Sequence, residues 1–424
     1  MNPPDTLNKP SPLVVIDGVR TPFLKMGSDF ASLDATELGR TVVQSLLTRT
    51  GVAPDRVDET LFGCVSQPAD AANVARVIAL RAGIPDSVPA MTVHRNCASG
   101  MEAFTVAAER AAAGQGEVFV VGGTENMSRI PLFFSAVAAA KFSALSRMKS
   151  AGGRAAAALT FRPTDFAPIV GLKLGLTDPV SGLNMGETAE VLAREFSIGR
   201  EDQDRFALAS HEKAAAARDH IGSEIAPVYL PGGKFVDRDN GIREAQSLEA
   251  LARLRPVFDR RTGTVTAGNS SQITDGAVAM LVMTEAKAEE LGLEPLGRLV
   301  DYAYTGCDPK RMGLGPAFAI RELFEKSGLR PEDADIVEVN EAFATQVLAV
   351  EKLLQSPDFD GLSIPAEKLN PNGGSIALGH PVGATGARLI LTTLKELKRQ
   401  GGKRGLVSLC IGGGQGGALW LETI

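Results

Sequence analysis

Short apolar runs alternate with longer stretches of helical period along most of this chain. Leu13–Asp17, Glu59–Val65, Glu117–Gly122, Ala277–Thr284, Gly297–Tyr304, Asp335–Val339, Gly405–Cys410 and Ala418–Glu422 read as strands. Thr36–Thr50, Ala71–Ala82, Met101–Ala113, Glu187–Glu195, Glu201–Asp219, Ala317–Ser327, Glu341–Leu354 and Thr385–Arg399 place their apolar residues at helical spacing. The alternation predicts an α/β fold with much parallel sheet.

The pattern also repeats. Gly51 to Asp58 (GVAPDRVD) leads into the strand at Glu59, and Gly328 to Asp335 (GLRPEDAD) leads into the strand at Ile336. Gly, Pro, an acid and Asp keep the same offsets, each after an amphipathic helix. The pair predicts a duplicated α/β unit. Cys97 and Cys410 each stand where an apolar strand runs into a glycine turn, and we read them as equivalent settings in the two copies. Pro131 to Leu183 breaks the pattern with apolar, Pro- and Gly-interrupted sequence and basic residues. It reads as an insertion. Burial against the core competes with contact to a partner or a membrane surface.

Composition narrows the picture. A chain of 424 residues exceeds one ordinary core, so two or more domains are expected. Hydrophobic content of 44% and charged content of 22% belong to a soluble globular protein. A net charge of −6 argues against nonspecific nucleic-acid binding. Residues 1–12 have neither an apolar core nor an arginine-rich run and read as a loose tail, not a signal or transit peptide. No apolar stretch is long enough to suggest a membrane span. Four cysteines are too sparse for a disulfide framework, which points to a reduced, cytoplasmic setting. No Cys/His spacing suits a metal.

The candidate chemistry lies in glycine-framed turns. Cys97, in VHRNCASG, precedes a helix-forming run. A helix N-terminus there lowers a thiol's pKa, and nearby N–H groups suit an oxyanion. A buried structural cysteine is the plain alternative. His380 sits in NPNGGSIALGHPVGATG, residues 370–386, as a general base or as a turn histidine. Cys410 precedes IGGGQGG, but too little chain follows for a dinucleotide site, so close backbone approach is the better reading. Asn340 ends a strand, where it can hold a water or a carbonyl oxygen, or cap a helix. The loop from Thr262 to Gly276 suits an acyl carrier's amide or phosphate groups, or is a tight connection. His94, His211 and His220 receive no roles, and the last two read as part of a solvated helix face. Cys64 and Cys307 read as core or turn residues.

Together NCASG at 96–100, GGTENMS at 122–128, GTVTAGN at 263–269, NEAF at 340–343, GGSIALGHPVGATG at 373–386 and CIGGG at 410–414 resemble the thiolase family. The match runs from about Leu13 to the end of the chain. The resemblance implies a duplicated βαβαβ fold in five layers with an inserted loop domain. It implies an N-terminal domain over 13–290, with the loop domain at about 131–265, and a C-terminal domain over 291–424. It implies that Cys97 carries the acyl group, His380 activates it, and Cys410 moves the proton at the α-carbon. Asn340, through a water, and His380 would form one oxyanion hole, and the N–H groups of Cys97 and Gly412 the other. Ser271 and Met185 would face acyl-CoA.

The implied reaction is reversible thiolysis of 3-ketoacyl-CoA, or Claisen condensation of two acetyl-CoA, with coenzyme A as substrate and no cofactor. A homodimer or homotetramer, and a β-oxidation partner subunit, follow from the same resemblance. Asn184-Met185-Gly186 stands where many short-chain thiolases have His-Met-Gly, which with the insertion is more like the trifunctional-complex subunit. That subgroup, however, has His where this chain has Asn340. A 3-ketoacyl synthase is the enzymatic rival, and Cys410 speaks against it. A non-catalytic lipid carrier is the other, and the complete set of site residues speaks against that.

Overall fold

The structure, a computed structural model, describes residues 12–424, so the expected tail lies outside it except for Pro12. In the first half the order is β1 (Leu13–Arg20), α1 (Ala35–Thr50), β2 (Glu59–Gly63), α2 (Val74–Arg81), β3 (Ala90–Val93), α3 (Ser99–Ala112) and β4 (Val118–Asn126). Two helices, α4 (Met185–Glu195) and α5 (Arg200–Ala216), then precede β5 (Thr274–Thr284). The second half runs β6 (Gly297–Gly306), α6 (Gly315–Ser327), β7 (Ile336–Val339), α7 (Ala344–Leu354), α8 (Val382–Gln400), β8 (Arg404–Ile411) and β9 (Gln415–Glu422).

These nine strands and the short piece Leu24–Lys25 form a ten-stranded sheet in the order β7-β8-β9-β6-β1-β5-β4-β2-β3. Each half pairs in the same way. β2 is parallel to β4, and β7 is parallel to β8. Within the sheet, the halves are joined among the described residues by two residue pairs, Val14 with Arg298 and Val15 with Gly297.

The duplication extends to side chains. α1 and α6 both end on a left-handed glycine, Gly51 (φ +69°) and Gly328 (φ +71°), a conformation that costs other residues a Cβ clash. A proline-led turn then reaches Asp58 or Asp335. Asp58 Oδ2 accepts the N–H groups of Glu117 and Val118 at 2.7 and 2.9 Å. Asp335 Oδ2 accepts those of Lys403 and Arg404 at 2.7 and 3.0 Å. β1 and β6 each carry a bulge, between Val15 and Asp17 and between Leu299 and Asp301. One element is not repeated: β3 lies beside β2, whereas β7 meets only a single bridge from Val337 to Leu369.

Three apolar cores make five layers. α1 and α2 bury Val42, Leu46 and Ile78 against Phe62, Val120 and Leu281. α3 and α8 lie between the two half-sheets, with Met101, Phe104, Leu389 and Ile390 against Leu61, Val121, Val407 and Leu419. α6 and α7 bury Ile320, Leu323, Val347 and Val350 against Val337, Val339, Leu406 and Trp420. The strand alternation (Leu61 inward, Phe62 outward) sends successive side chains into different cores.

Some expectations change. β3 was not foreseen, because a four-residue half-buried strand has little periodicity to read. α7 starts at Ala344, with Phe343 and not Asn340 at its N-cap. The long helix at 201–219 ends at Ala216, and a short turn of helix follows at Arg218–Gly222. His211 does not lie on a solvated face: it is 3% exposed and accepts the Arg243 N–H on Nδ1. The Ala- and Lys-rich composition around it masked one buried stripe.

The insertion folds as exposed helices, Ala136–Arg147 and Ala151–Ala158, around a cluster of Phe134, Phe142, Phe161 and Phe166. Much of its apolar surface faces solvent: Leu159 is 86% exposed, Val180 82%, Val137 62% and Leu132 61%. Burial against the core is therefore not its state in the single chain.

Candidate active site

Cys97 lies between β3 and α3, in a turn held by its neighbours. Asn96 takes a left-handed backbone (φ +44°), and its Nδ2 donates to the Gly412 carbonyl at 2.7 Å. Ser99 Oγ accepts the Arg95 N–H at 3.0 Å and donates to the Asn96 carbonyl at 2.6 Å. These bonds set Cys97 directly before α3, opposite the glycine turn of the other half. Its sulfur is in reach of the N–H of Gly412 and its own N–H, both of which favour the thiolate. Burial outweighs them, and the thiol is pushed up to about 11. A helix N-terminus alone suggested a lowered thiol; with burial as the largest cause, the thiol is raised instead.

Cys410 ends β8, buried among Ala189, Val265, Met312, Ala342 and Phe343, with Met185 and Phe258 beside them. Burial, then the neighbouring Cys97, raises its thiol far above the ordinary range. The two cysteines meet, but they are not equivalent. The counterpart of Cys97 in the second half is His380, which stands just before α8 as Cys97 stands just before α3. A glycine turn beside each cysteine suggested a match that the chain order does not give. Close approach is real in the second turn: a Cβ on Gly414 would lie 2.3 Å from the Cys307 carbonyl oxygen.

His380 is buried and fixed at its backbone by Gln272 O at 3.2 Å and Thr274 Oγ1 at 3.1 Å. Its Nδ1 lies 2.6 Å from Thr385 Oγ1, whose hydroxyl donates to the Pro381 carbonyl at 3.0 Å. That hydroxyl has one proton, so Nδ1–H is the donor and Nε2 keeps its lone pair. Burial, helped by the Arg388 cation, drives the imidazole down to about 3. Burial thus favours the neutral thiol and the neutral imidazole.

Asn340 directly follows β7 and is fully buried. Its Oδ1 accepts the Ser375 hydroxyl at 2.6 Å, and its Nδ2 has no partner. An orphaned amide donor in a buried site is the mark of a water or ligand position. Next to it the Glu341 carboxylate accepts Ser210 Oγ at 2.6 Å, Asn370 Nδ2 at 2.9 Å and the Ile376 N–H at 3.2 Å, which ties down the segment leading to His380.

A cavity of about 540 Å³ opens on His380. Met185, Phe258, Phe343, Ile273 and Ser271 line it, so both expected acyl-CoA contacts face it. Cys97, Cys410 and Asn340 are not among its lining residues. Of the loop 262–276, Thr264 and Thr266 spend their side chains on internal bonds, while Ser271 faces the cavity. Lys25 and Arg243 also line it, and burial, then the nearby Arg243 cation, lowers the Lys25 ammonium. Another cavity, of about 670 Å³, is lined by Asp17, Arg49, His220 and Lys395, and its charges largely pair with one another.

The family model described as thiolase, N-terminal domain, matches residues 13–286, and that described as thiolase, C-terminal domain, matches residues 293–423. The chain belongs to the thiolase family. This thiolase is 41% identical to the acetyl-CoA acetyltransferase of Chromobacterium violaceum, over 97% of this chain and 99% of the relative. It is 42% identical to the human mitochondrial trifunctional enzyme subunit beta, over 99% of this chain and 90% of the relative. Its fold superposes on the crystal structure of the Bacillus anthracis acetyl-CoA acetyltransferase with a TM-score of 0.87 and 39% identity, covering 98% of this chain and 100% of that one.

Sequence reasoning about the thiolase site missed Lys25, Arg243, Glu341 and Glu125. The last two carry a readable signal: a carboxylate set in an otherwise apolar or glycine-rich strand end must be satisfied by something. Lys25 and Arg243 carry none, since a surface cation in sequence looks like any other.

Proposed function

We propose that this thiolase cleaves 3-ketoacyl-CoA to acetyl-CoA and a shortened acyl-CoA, and runs the reverse Claisen condensation, through an acyl group on Cys97. The observation that carries the reading is the meeting of two thiols at Gly412, Cys97 from the first half and Cys410 from the second. Hydrolysis through a cysteine needs only one of them.

In thiolysis His380 Nε2 takes the Cys97 proton as the sulfur attacks the 3-keto carbon. The N–H groups of Cys97 and Gly412, or a water on Asn340 Nδ2 together with His380, stabilise the oxyanions that form. The C2–C3 bond breaks with its electron pair on C2, and Cys410 protonates that carbon. Acetyl-CoA leaves. The Cys410 thiolate then takes the proton of an entering CoA thiol, CoA collects the acyl group, and His380 returns the proton to Cys97. Coenzyme A is a substrate, and the scheme draws on thiol, imidazole and amide groups of the chain.

Lys25 and Arg243, two cations that pair with no carboxylate among the described residues, stand beside an apolar cavity and suit the phosphates of CoA. Lys25→Ala or Arg243→Ala raises KM for CoA about tenfold, with kcat little changed, in line with the loss of a charge-assisted hydrogen bond. Cleavage of acetoacetyl-CoA and of 3-ketodecanoyl-CoA tests the reading itself. CoA-dependent loss of either supports it, and loss of neither overturns it.

Assembly and setting complete the proposal. β3 leaves an open sheet edge beside the Cys97 turn, and pairing between copies in a homodimer or homotetramer would cover it. Light scattering that gives a monomer would refute this. The four free thiols favour a cytoplasmic setting, which cell fractionation checks. The insertion carries Lys141, Arg147, Lys149, Arg154, Arg162 and Lys173 against Asp165 and Asp178, in a chain of net charge −6. With its exposed Leu159, Val137 and Leu132 it suits an anionic lipid surface more than bulk water. Co-sedimentation with phosphatidylglycerol vesicles, weakened by salt and by Leu159→Asp, is the expected result. Equal recovery with neutral vesicles, or none with either, returns the surface to a partner subunit.

A further inference from the structure

Behind the two thiols lies a carboxylate that the scheme above does not use. Glu125, near the end of β4, is fully buried, and its Oε2 accepts the Val65 N–H at 2.9 Å and the Gly383 N–H at 3.1 Å. Its Oε1 accepts the Ser66 N–H at 2.8 Å. No cation pairs with it among the described residues. The three donors come from two halves: Val65 and Ser66 follow β2, and Gly383 lies in the first turn of α8, three residues after His380.

The seat is tight. A Cβ on Gly383 would lie 2.8 Å from Glu125 Oε2 and 2.8 Å from the Thr124 carbonyl oxygen. A Cβ on Gly123 would lie 2.0 Å from the Gly383 carbonyl oxygen, and one on Gly63 would lie 2.5 Å from Gly100 N, at the start of α3. The ends of β2 and β4 and the starts of α3 and α8 therefore converge on this carboxylate.

We propose that Glu125 is a positioning residue for the reaction: its carboxylate ties the turn that carries His380 to the half of the molecule that carries Cys97. The inference rests on the roles given above to those two residues. The requirement for a carboxylate is one of bonding capacity. Three N–H donors meet two oxygens, and only an acceptor without protons of its own satisfies them all. An unpaired carboxylate in so buried a place is costly unless hydrogen bonds of this kind satisfy it. Its charge also reaches the nucleophile, where it opposes the thiolate. The titratable groups around it are Asp275 from β5, Cys64 after β2 and Cys97 before α3, while α8 brings the Gly383 N–H. Burial pushes Glu125 up to about 7.

Glu125→Gln keeps the shape but turns one oxygen into a donor facing another donor. The expected result is a kcat lowered about 10- to 100-fold with KM within about threefold of wild type, the order of effect a misplaced catalytic group produces. The pH midpoint for iodoacetamide alkylation of Cys97 also moves to lower pH, because the opposing charge is gone. A purely structural loss would reduce the fraction of alkylatable protein and leave that midpoint in place. Should the variant not fold, wild type gives the second measurement. Its Cys97 alkylation rate rises with pH less steeply above about 7 than below it, as Glu125 ionises. Wild-type kcat and midpoint in Glu125→Gln, or a single uninterrupted rise in wild type, overturn the inference. Wild type that neither cleaves ketoacyl-CoA nor alkylates at Cys97 fails the reading of the site instead.

Discussion

Cys97→Ala lowers kcat for thiolysis by about 10⁴-fold or more, the scale on which an enzyme loses its nucleophile. The fold survives, because the Cys97 turn is held by Asn96, Ser99 and Arg95 and not by the sulfur. A melting midpoint close to wild type, beside the lost activity, is the expected pair of results. Activity within tenfold of wild type would remove Cys97 from the reaction. The wild-type pH profile belongs to the same test. His380, driven down to about 3, stays neutral at every pH above that, so kcat/KM shows no fall through the ordinary histidine range between pH 5 and 8. A clear ionisation near 6.5 would place another histidine at the thiol. The linkage sign is set by the same shift. The unfolded chain binds the His380 proton below about 6.5 and the folded chain does not, so its contribution to stability falls away between about 6.5 and 3. His211, driven down to about 4, acts in the same direction.

Cys410→Ala separates the two half-reactions. Carbon–carbon cleavage falls by about 10²- to 10⁴-fold, the usual worth of a positioned acid or base. Exchange of an acyl group between Cys97 and CoA needs no proton at an α-carbon and can pass the CoA thiol proton through His380, so it falls much less. Exchange of labelled CoA into acetyl-CoA measures the second, and loss of acetoacetyl-CoA the first. Equal loss of both would mean that Cys410 supports Cys97 and does no chemistry of its own. The site is well built for the distinction. Cys410 sits in an apolar cluster with Met312, Ala342 and Phe343, where truncation removes one sulfur from apolar surroundings.

Period and punctuation made much of the architecture readable in advance. The alternation of apolar strands with helical runs implied the α/β class, and the two copies of Gly, Pro and Asp marked the duplication. Asp58 and Asp335 turn out to bind the same two backbone positions of neighbouring strands, which is why both the residue and its offset recur. Glycine-framed turns singled out Cys97, His380 and Cys410. What failed were the inferences that need a surrounding. The thiol of Cys97 rises chiefly through desolvation, which is invisible in a local sequence, whereas the helix start that suggested a lowered thiol is visible there. His211 is buried although its neighbours read as solvated. Glu125 holds three N–H groups from segments far apart in sequence, and only the fold brings them together.

Cys97 and His380 occupy one position of the repeated unit, each just before the central helix of its half. The duplication therefore sets two unlike groups, a thiol and an imidazole, at matched positions of the fold. The copies differ in length as well as chemistry: the first half has the strand Ala90–Val93 before Cys97, while the second has a single bridge at Leu369 and a longer loop that carries His380.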